Sequence, residues 1–164
     1  NSIKYIGNVC LVLVLKKSLS DAYWTNVNDP DFPFVAIIEH TNLEPVSTYK
    51  DKHIVYLSKY LPVTDKLYTM TKEELIEYSM PYITKMFPKF CQEWIVDSHL
   101  WKEAYSQPIV TCNYSEKIPT YRTTISGVYV SCMAQIYPED RGTNYAVMQG
   151  KKVASILLND NIQV

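Results

Sequence analysis

The sequence contains little glycine, and its glycines are widely spaced. They are Gly7, Gly127, Gly142 and Gly150. No two of them have the spacing of a G-x-G-x-x-G dinucleotide loop or of a G-x-x-x-x-G-K phosphate loop, in which glycine lets the backbone approach the phosphates. The chain therefore holds no glycine-rich nucleotide site of either kind.

Long apolar runs and an excess of one charge sign are also missing. The longest apolar run is Val9-Cys10-Leu11-Val12-Leu13-Val14-Leu15. A bilayer-spanning helix needs about 20 residues, so this run predicts a core strand and no transmembrane segment. The net charge of −1 argues against a surface for nucleic acid or anionic membranes. A composition of 47% hydrophobic and 20% charged residues is typical of a soluble globular protein.

Cysteine and histidine are few and scattered. The cysteines show no C-x-x-C pair, which predicts free thiols in a reducing, cytoplasmic compartment. The histidines have no carboxylate or cysteine at metal-ligand spacing, which predicts no metal site. These residues are Cys10, Cys91, Cys112, Cys132, His40, His53 and His99. The sequence offers no paired nucleophile and base either.

The first part of the sequence has the pattern of an antiparallel sheet. Stretches rich in β-branched and aromatic residues are separated by turn residues such as Asn28-Asp29-Pro30-Asp31. The predicted strands are Ile3 to Lys16, Tyr23 to Val27, Phe34 to His40 and His53 to Leu61. Further on, Ile95 to Val110 forms either one long strand or two short ones. Short connections between successive strands favour antiparallel pairing.

A helix is predicted after the fourth strand. Thr71-Lys72-Glu73-Glu74 has the T-x-x-E form of a capping box, in which the threonine and glutamate side chains each accept a hydrogen bond from a free amide at the helix start. Apolar residues follow at helical spacing as far as Phe87. Pro81 removes one backbone donor inside this pattern and predicts a kink, and Pro88 marks the end. We expect this helix to cover one face of the sheet.

The C-terminal part predicts a strand, a loop and a helix. Ser126-Gly127 turns the chain into a predicted buried strand, Val128 to Cys132, which leads through "AQIYPEDRG" to the last helix. Small and apolar residues form a stripe along that helix: Ala146, Gly150, Val153, Ala154 and Leu157. Gly150 predicts close packing against another element. The predicted fold class is α+β, a mainly antiparallel sheet covered by helices and ending in a strand, a loop and a helix.

The start of the last helix has the properties of an anion site. Its first turn, Gly142-Thr143-Asn144-Tyr145, presents backbone amides and the positive end of the helix dipole. This suits a phosphate, a carboxylate or an electron-rich ring edge. A valine at position 142 is expected to block the approach of a ligand and to force an unfavourable φ. The alternative is that Asp140, Thr143 and Asn144 are ordinary turn and cap residues.

The chain resembles the C-terminal part of FAD-dependent oxidoreductases in the amine oxidase, protoporphyrinogen oxidase and phytoene desaturase superfamily. The similar stretches are "GVYVSCMAQIYPEDRGTNYAVMQGKKVA", "YIGNVCLVLVLKKSLSDAYWTNVNDPDFPFVAIIEHTNL", "HIVYLSKYLP" and "EAYSQPIV". The resemblance covers nearly the whole chain, and its last part is the most specific. It implies a flavoprotein whose dinucleotide-binding βαβ unit comes before residue 1.

The resemblance implies roles for particular residues. Residues 1–126 correspond to a substrate-binding domain, with Tyr56, Tyr105 and Gln107 as candidate cleft residues. Residues 127–164 correspond to the last strand, loop and helix of the FAD-binding domain, where helix amides face the pyrimidine edge of the flavin and stabilise the charge of its reduced form. The matching cofactor-binding residues are Asp140, Arg141, Gly142, Thr143, Asn144 and Tyr145. The chain has Ser131-Cys132 where many relatives have glycine and an acid.

The resemblance therefore implies a fragment of an FAD-dependent oxidoreductase that acts on a small-molecule substrate. The flavin carries the chemistry in this superfamily, so the fragment alone is expected to be inactive, colourless and without bound FAD. One alternative is a fragment of a flavin-dependent nucleotide-sugar mutase, as in galactopyranose mutases. Another is a stand-alone lipid- or glycan-binding module without a cofactor. Truncation is expected to bare the stripe of the last helix, which predicts a homodimer through that surface.

Overall fold

The computed structural model describes residues 3–162, and the predicted domain limits at residues 1 and 164 lie outside them. In chain order the elements are β1 (Tyr5–Leu15), β2 (Trp24–Asn26), β3 (Ala36–Glu39), β4 (His53–Leu61), α1 (Lys66–Thr69), α2 (Lys72–Met86), β5 (Ile95–Pro108) and α3 (Thr143–Ile162). This order confirms the α+β class. No helix between residues 3 and 162 is long and apolar enough to cross a membrane.

The chain divides into two compact units. One unit is Tyr5–Gln107, and the other consists of residues 108–162 with residues 3 and 4. The division falls at the end of β5, upstream of the predicted domain boundary after residue 126. The assignment of residues 127–164 to a cofactor domain depends on how they pack against segments outside this chain. It stays a prediction.

A five-stranded sheet forms the unit Tyr5–Gln107, with strand order β2-β3-β4-β1-β5. β1 pairs antiparallel with β4, so that Leu11 lies opposite Leu57 and Leu13 opposite Val55. β3 pairs antiparallel with both β2 and β4. The ambiguous stretch Ile95 to Val110 forms one strand, β5. The prediction of a mainly antiparallel sheet is therefore confirmed.

The hydrophobic core lies on one face of this sheet. Successive side chains of a strand point to opposite faces, and the odd-numbered residues of β1 and β4 point towards α2. The buried cluster includes Val9, Leu11, Leu13, Leu15, Ile37, Val55, Leu57, Leu61, Leu75 and Ile83. Full burial of one such side chain contributes about 1.5–3 kcal/mol. The seven-residue apolar run thus forms the strand that contributes most to the core.

On the opposite side of the sheet, the even-numbered residues of four of its five strands, β1 to β4, form a surface that we call the far face. The registers place Val12 opposite Tyr56, Tyr56 opposite Ile38, and Ile38 opposite Trp24. The far face consists of Asn8, Cys10, Val12, Val14, Trp24, Asn26, Ala36, Ile38, Ile54, Tyr56, Ser58 and Tyr60. None of these side chains is an acid or a base of the Asp, Glu, Lys or Arg type.

Helix α2 begins with the predicted capping box. Thr71 Oγ1 accepts a hydrogen bond from Glu74 N at 3.2 Å, and Glu74 Oε2 accepts one from Thr71 N at 2.8 Å. The bond from the Thr71 backbone is also the main cause that lowers the pKa of Glu74. The helix runs through Pro81 without a break and ends at Met86, two residues before Pro88. Its existence, start and end were therefore predicted correctly.

A short hairpin stands where a buried strand was predicted at Val128 to Cys132, so that prediction is wrong. The segment makes one isolated antiparallel bridge, between Tyr129 and Arg122, and Val128 and Val130 are 46% and 41% exposed. Gly127 closes the turn with a φ of 76°. In this hairpin the Tyr129 side chain contacts α3, while the two valines beside it are exposed.

Two buried polar side chains link the loops of the unit formed by residues 108–162. Tyr114 is 1% exposed, and its hydroxyl donates a hydrogen bond to Ala134 O at 2.8 Å. Gln135 Oε1 accepts one from Cys132 N at 2.8 Å, and its amide nitrogen donates to Pro119 O at 3.1 Å. The path from the hairpin to α3 is therefore held by specific hydrogen bonds.

Candidate functional site

The loop before α3 contains the residues with proposed flavin-facing roles. Ala146 N donates to Gly142 O at 3.0 Å, so Gly142 is the N-cap residue and Thr143 is the first residue of the helix. Asp140 Oδ1 accepts a hydrogen bond from Arg141 N at 2.8 Å. Thr143 and Asn144 are exposed, and Tyr145 is half-buried. The first turn of α3 is therefore accessible.

Gly142 gives α3 no side-chain cap of its own. Serine, threonine, aspartate or asparagine at an N-cap accepts a hydrogen bond from a first-turn amide, and glycine has no side chain to do so. The amides of the first turn belong to Thr143, Asn144 and Tyr145, and α3 is 20 residues long. Its dipole places partial positive charge at that end. An anion or an electron-rich ring edge suits this chemistry.

The backbone conformation does not require glycine at position 142. Its φ lies outside the left-handed region, which only Gly127 among the glycines occupies. A Cβ atom at position 142 would lie 2.7 Å from Asn144 Oδ1, an atom at the end of a side chain that can turn away. The expected unfavourable φ for valine is therefore wrong. Glycine at this position leaves room for the Asn144 side chain to lie close to the helix start.

The hairpin is attached to the second half of α3 by an ion pair. Arg122 donates two hydrogen bonds to Asp160, from Nε to Oδ2 at 2.8 Å and from a terminal nitrogen to Oδ1 at 2.7 Å. Tyr129 OH donates to Asp160 Oδ2 at 2.6 Å. These bonds, with that from Arg122 first, lower the pKa of Asp160 to about 2. The same contact raises the pKa of Tyr129.

We expect the ion pair between Arg122 and Asp160 to persist to a lower pH than an ordinary aspartate ion pair. The folded-state pKa of Asp160 is about 2 and its ordinary value is 3.8. Since the folded value is the lower one, the stability from this contact is fully present above about pH 4 and is lost as the pH falls through about 2. We expect the NMR signal of the Arg122 Nε–H to show one transition near that lower pH.

The Asp160→Asn variant is the control for this titration. It keeps the shape of the side chain and removes the carboxylate, so the transition at low pH should disappear. A transition of the Arg122 signal near the ordinary aspartate value in the wild-type chain would contradict the prediction, because it would mean that the ion pair does not persist in solution.

A second contact fixes the hairpin to the middle of α3. The Tyr121 hydroxyl donates a hydrogen bond to Gln149 Oε1, and Gln149 is buried. Lys152 Nζ lies over the Tyr121 ring, 5.0 Å from its centre. The Lys152 side chain therefore packs on an aromatic ring. Lys151 is exposed, and its replacement by alanine suits a control on this helix.

The predicted stripe of α3 is largely exposed. Ala146, Gly150, Ala154 and Leu157 are exposed, whereas Val153 is half-buried. A Cβ atom at Gly150 would meet nothing within 4 Å, so the predicted close packing at Gly150 does not occur among the described residues. The face of α3 that packs in this unit is instead marked by Gln149 and Asp160. The stripe is therefore a mostly exposed surface that another chain or segment can contact.

The predicted substrate residues do not form one group. Tyr56 lies on β4, and Tyr105 and Gln107 lie on β5, with β1 between the two strands. Tyr105 is 74% exposed and makes an edge-to-face contact with Tyr5 at 5.6 Å between ring centres. Tyr56 is half-buried on the far face. Their substrate-binding role stays a prediction.

The structure adds two residues beside Tyr56 that sequence reasoning missed. His40 Nε2 and the Tyr49 hydroxyl share a hydrogen bond of 2.7 Å. The His40 ring stands edge-on to the rings of Tyr49 and Tyr56, at 5.5 and 6.1 Å between ring centres. His40 follows β3, and Tyr49 lies in a separate 3-10 turn. No local sequence signal links these positions, because their contact depends on the strand register.

The histidine and cysteine side chains are dispersed over the part of the chain that the structure describes. Within residues 3–162, no group of three or more histidine, cysteine, aspartate or glutamate side chains is placed to hold a metal ion. The cysteines are free, with Cys10 half-buried and Cys91, Cys112 and Cys132 exposed. Burial raises the pKa of the Cys10 thiol, which makes it a weak nucleophile.

Solved structures with a similar fold include the three that follow. A protein from Exiguobacterium sp. 255-15 assigned as a protoporphyrinogen oxidase matches 95% of this chain with a TM-score of 0.66 and 12% identity. Reduced UDP-galactopyranose mutase matches 71% of it with a TM-score of 0.55 and 13% identity. An oxidoreductase from Methanosarcina mazei matches 78% of it with a TM-score of 0.52 and 15% identity.

The likeness to these structures is one of fold. The chain spans 35%, 25% and 29% of the lengths of the three proteins. No protein-family model matches the sequence, and no curated protein matches it significantly. Identities of 12%, 13% and 15% show a shared fold.

The start of α3 fits a flavin on chemical grounds. A reduced flavin carries negative charge at its pyrimidine edge, and the first turn of α3 offers backbone donors and a positive dipole end. Gly142 leaves these donors without a side-chain cap at the N-cap position. The pyrophosphate and adenine of FAD have no glycine-rich loop in this chain. The residues present therefore suit the pyrimidine edge of the flavin ring, and they do not provide a site for the pyrophosphate or the adenine.

Proposed function

We propose that this chain is part of a longer FAD-dependent oxidoreductase, where it supplies the substrate-binding sheet and the helix that faces the flavin. The observation that carries this proposal is the fold shared over 95% of the chain with a protein assigned as a protoporphyrinogen oxidase. The chain spans 35% of that protein, so the proposed dinucleotide-binding domain belongs to other segments. The motif resemblance supports the same function from a separate direction.

In this proposal the first turn of α3 binds the pyrimidine edge of the flavin. The backbone amides of Thr143, Asn144 and Tyr145 would donate hydrogen bonds to this edge, and Asp140 and Arg141 would lie on the approach to it. Bound FAD supplies the redox chemistry, the exchange of a hydride equivalent with a small-molecule substrate. These amides would favour the reduced flavin, because their partial positive charge is already in place before the reaction.

The exposed stripe of α3 has a role in the same proposal. In the full-length protein it packs on the cofactor domain, which explains why Gly150 and Ala154 are small and uncovered here. Small residues let another backbone approach closely. In the isolated chain the same surface is the proposed contact of a homodimer. The isolated chain is proposed to be catalytically inactive, because it lacks a nucleotide-binding loop.

A flavin-dependent nucleotide-sugar mutase is the second candidate function. The similarity in fold to reduced UDP-galactopyranose mutase, with a TM-score of 0.55, supports this second candidate. The two candidates differ in their net reaction, because an oxidoreductase passes electrons to an acceptor and a mutase returns the flavin to its starting state. Turnover with artificial electron acceptors, compared with redox-neutral isomerisation of a nucleotide sugar, separates them.

Replacement of Thr143 by proline in the full-length protein tests the flavin-facing helix. Proline is well tolerated at the first position of a helix, where its missing N–H has no partner within the helix. Thr143→Pro therefore deletes one donor to the flavin and leaves α3 intact. Losing one hydrogen bond to a charged group costs about 1.5 kcal/mol, which lowers a two-electron potential by about 30 mV.

Thr143→Ala is the matched control, because it removes the same side chain and keeps the amide. Both variants are assayed for FAD content, reduction potential and thermal stability. Thr143→Ala and Lys151→Ala should resemble wild type in all three measurements. Equal potential and FAD content in Thr143→Pro and Thr143→Ala would mean that this loop is only a turn and a helix start.

A further inference from the structure

An open groove runs along α2, within the unit Tyr5–Gln107. Its volume is about 590 Å³, and it is lined by Glu73, Ile76, Glu77, Met80, Pro81, Thr84 and Gln92. Ile76 and Met80 pack against the core and stay half-buried, so they form an apolar floor. The other lining residues are exposed and form the rim. The rim carries two carboxylates, and no basic residue lines the groove.

The proline inside α2 leaves one acceptor of the groove without its helical donor. Pro81 lies within the 15 residues of this helix. Because proline has no N–H, the backbone oxygen of Glu77 lacks the hydrogen bond from the residue four positions further on. Proline is the least favourable residue in a helix interior, and sequences break such local rules mainly at functional sites. Glu77 therefore offers both a carboxylate and a backbone oxygen as acceptors.

The lysines of α2 do not neutralise Glu77. Lys72 Nζ lies 3.7 Å from Glu73 Oε1, and Lys85 Nζ lies 3.7 Å from Asp29 Oδ2. Among the described residues, no lysine, arginine or histidine nitrogen lies within 4.0 Å of the Glu77 carboxylate. The charge of Glu77 is therefore available to a cation from outside this chain.

An arginine side chain is complementary to this groove. Its guanidinium group carries a positive charge and five N–H donors in one plane, so it can bond a carboxylate and a carbonyl oxygen together. Its methylene stem packs on apolar residues while the charged end stays near water. In the groove the stem would lie on Ile76 and Met80, and the guanidinium would face Glu77. A lysine ammonium is more strongly hydrated and lacks the planar set of donors, so it fits less well.

We propose that the groove along α2 binds an arginine side chain from another segment of the longer protein. This inference rests on the proposed function, because the chain spans 35% of the protein assigned as a protoporphyrinogen oxidase and the remainder of such a protein lies in other segments. A segment of the same polypeptide has a high effective concentration at the groove, so a weak contact is enough. The contact would attach the unit Tyr5–Gln107 to the rest of the protein.

Two small molecules of similar shape test the groove on the chain itself. N-Butylguanidinium imitates an arginine side chain, and N-butylurea is its uncharged counterpart. With ¹³C-labelled methionine methyl groups, butylguanidinium should shift the NMR signal of Met80 and leave that of Met148 on α3 unchanged. It should bind about fivefold more tightly than butylurea, because hydrogen bonds to charged groups are stronger than neutral ones.

Two variants test the two acceptors separately. Glu77→Gln keeps the size of the side chain and removes its charge, so the fivefold preference should disappear. Pro81→Ala supplies an N–H to Glu77 O, so it should weaken butylguanidinium binding about threefold and raise the thermal stability of the chain. Glu139→Gln, at an exposed position outside this unit, is the control and should bind like wild type. An unchanged preference in Glu77→Gln, or unchanged binding in Pro81→Ala, would overturn the inference.

The full-length protein tests the source of the arginine. Its own segment fills the groove there, so butylguanidinium should leave the Met80 signal unchanged. A shift of Met80 in the full-length protein would overturn the inference, because the groove would then be open to a separate protein. FAD content is measured in the same sample, so a failure of the groove assignment is distinguished from a failure of the flavin proposal.

Discussion

Replacing Glu39 with alanine should lower the free energy of unfolding by about 3 kcal/mol. Glu39 is 1% exposed, and its Oε2 atom accepts hydrogen bonds from Leu19 N at 3.1 Å and Ser20 N at 3.0 Å. Alanine leaves both amides without an acceptor, and each unpaired buried donor costs about 1–3 kcal/mol. Leu19 and Ser20 are half-buried, so water recovers part of this loss. Urea unfolding of the chain measures the effect.

Glu39→Gln separates hydrogen bonding from charge. Glutamine keeps one acceptor oxygen at nearly the same place, and its amide group lies where Glu39 Oε1 now faces His53 Nδ1 at 3.5 Å. We expect a loss of about 1 kcal/mol for this variant. A loss as large as that of alanine would show that the charge of the carboxylate, rather than its acceptor atoms, holds the loop after β1.

Elements with local signals were predictable from the sequence. The capping box needs only Thr71 and Glu74, three residues apart, and both of its hydrogen bonds are present. The apolar run from Val9 to Leu15 needed no partner to be recognised as a strand, because its β-branched and leucine residues suit a buried sheet. Such signals act within a few residues, so sequence order alone reveals them.

The burial of residues 128–132 was predicted wrongly for a physical reason. Alternation of valine and tyrosine marks a strand with two different faces, but it does not say whether anything covers the second face. Tyr129 faces Asp160 on α3, and the flanking valines face away from it. A sequence pattern shows which residues share a face of a strand. Whether that face is buried depends on which other elements pack against it.

The contacts that define the candidate sites are long-range, and the sequence did not reveal them. Arg122 and Asp160 are separated by 38 positions, and many other acids in the chain were equally available to pair with Arg122. His40 meets Tyr56 only because the register of β3 on β4 places Ile38 opposite Tyr56. A one-residue slip would move every side chain to the other face. Such pairs need the register as well as the pattern.

A valine in place of Gly7 should destabilise the unit Tyr5–Gln107 by about 3 kcal/mol. Gly7 lies in β1 between β4 and β5, and a Cβ atom there would lie 3.1 Å from the backbone oxygens of both Glu103 and Leu61 and 3.2 Å from Val63 Cγ1. Two of these atoms are backbone atoms of flanking strands, which cannot turn away as a side chain can. Overpacking of this kind typically costs 1–3 kcal/mol, and a branched side chain adds two further carbons.

Gly7→Ala distinguishes the contact from the backbone effect of glycine. Alanine gains about 0.5–1 kcal/mol over glycine in a strand because the unfolded chain loses freedom, and its single carbon meets only the three tight contacts. These effects nearly cancel, so Gly7→Ala should stay within about 1 kcal/mol of wild type while Gly7→Val falls well below it. Hydrogen exchange at the β1 and β4 amides, which open with this part of the sheet, provides the measurement. Equal protection of these amides in Gly7→Val and wild type would contradict the prediction. It would mean that β5 can move away from β1 at little cost in free energy.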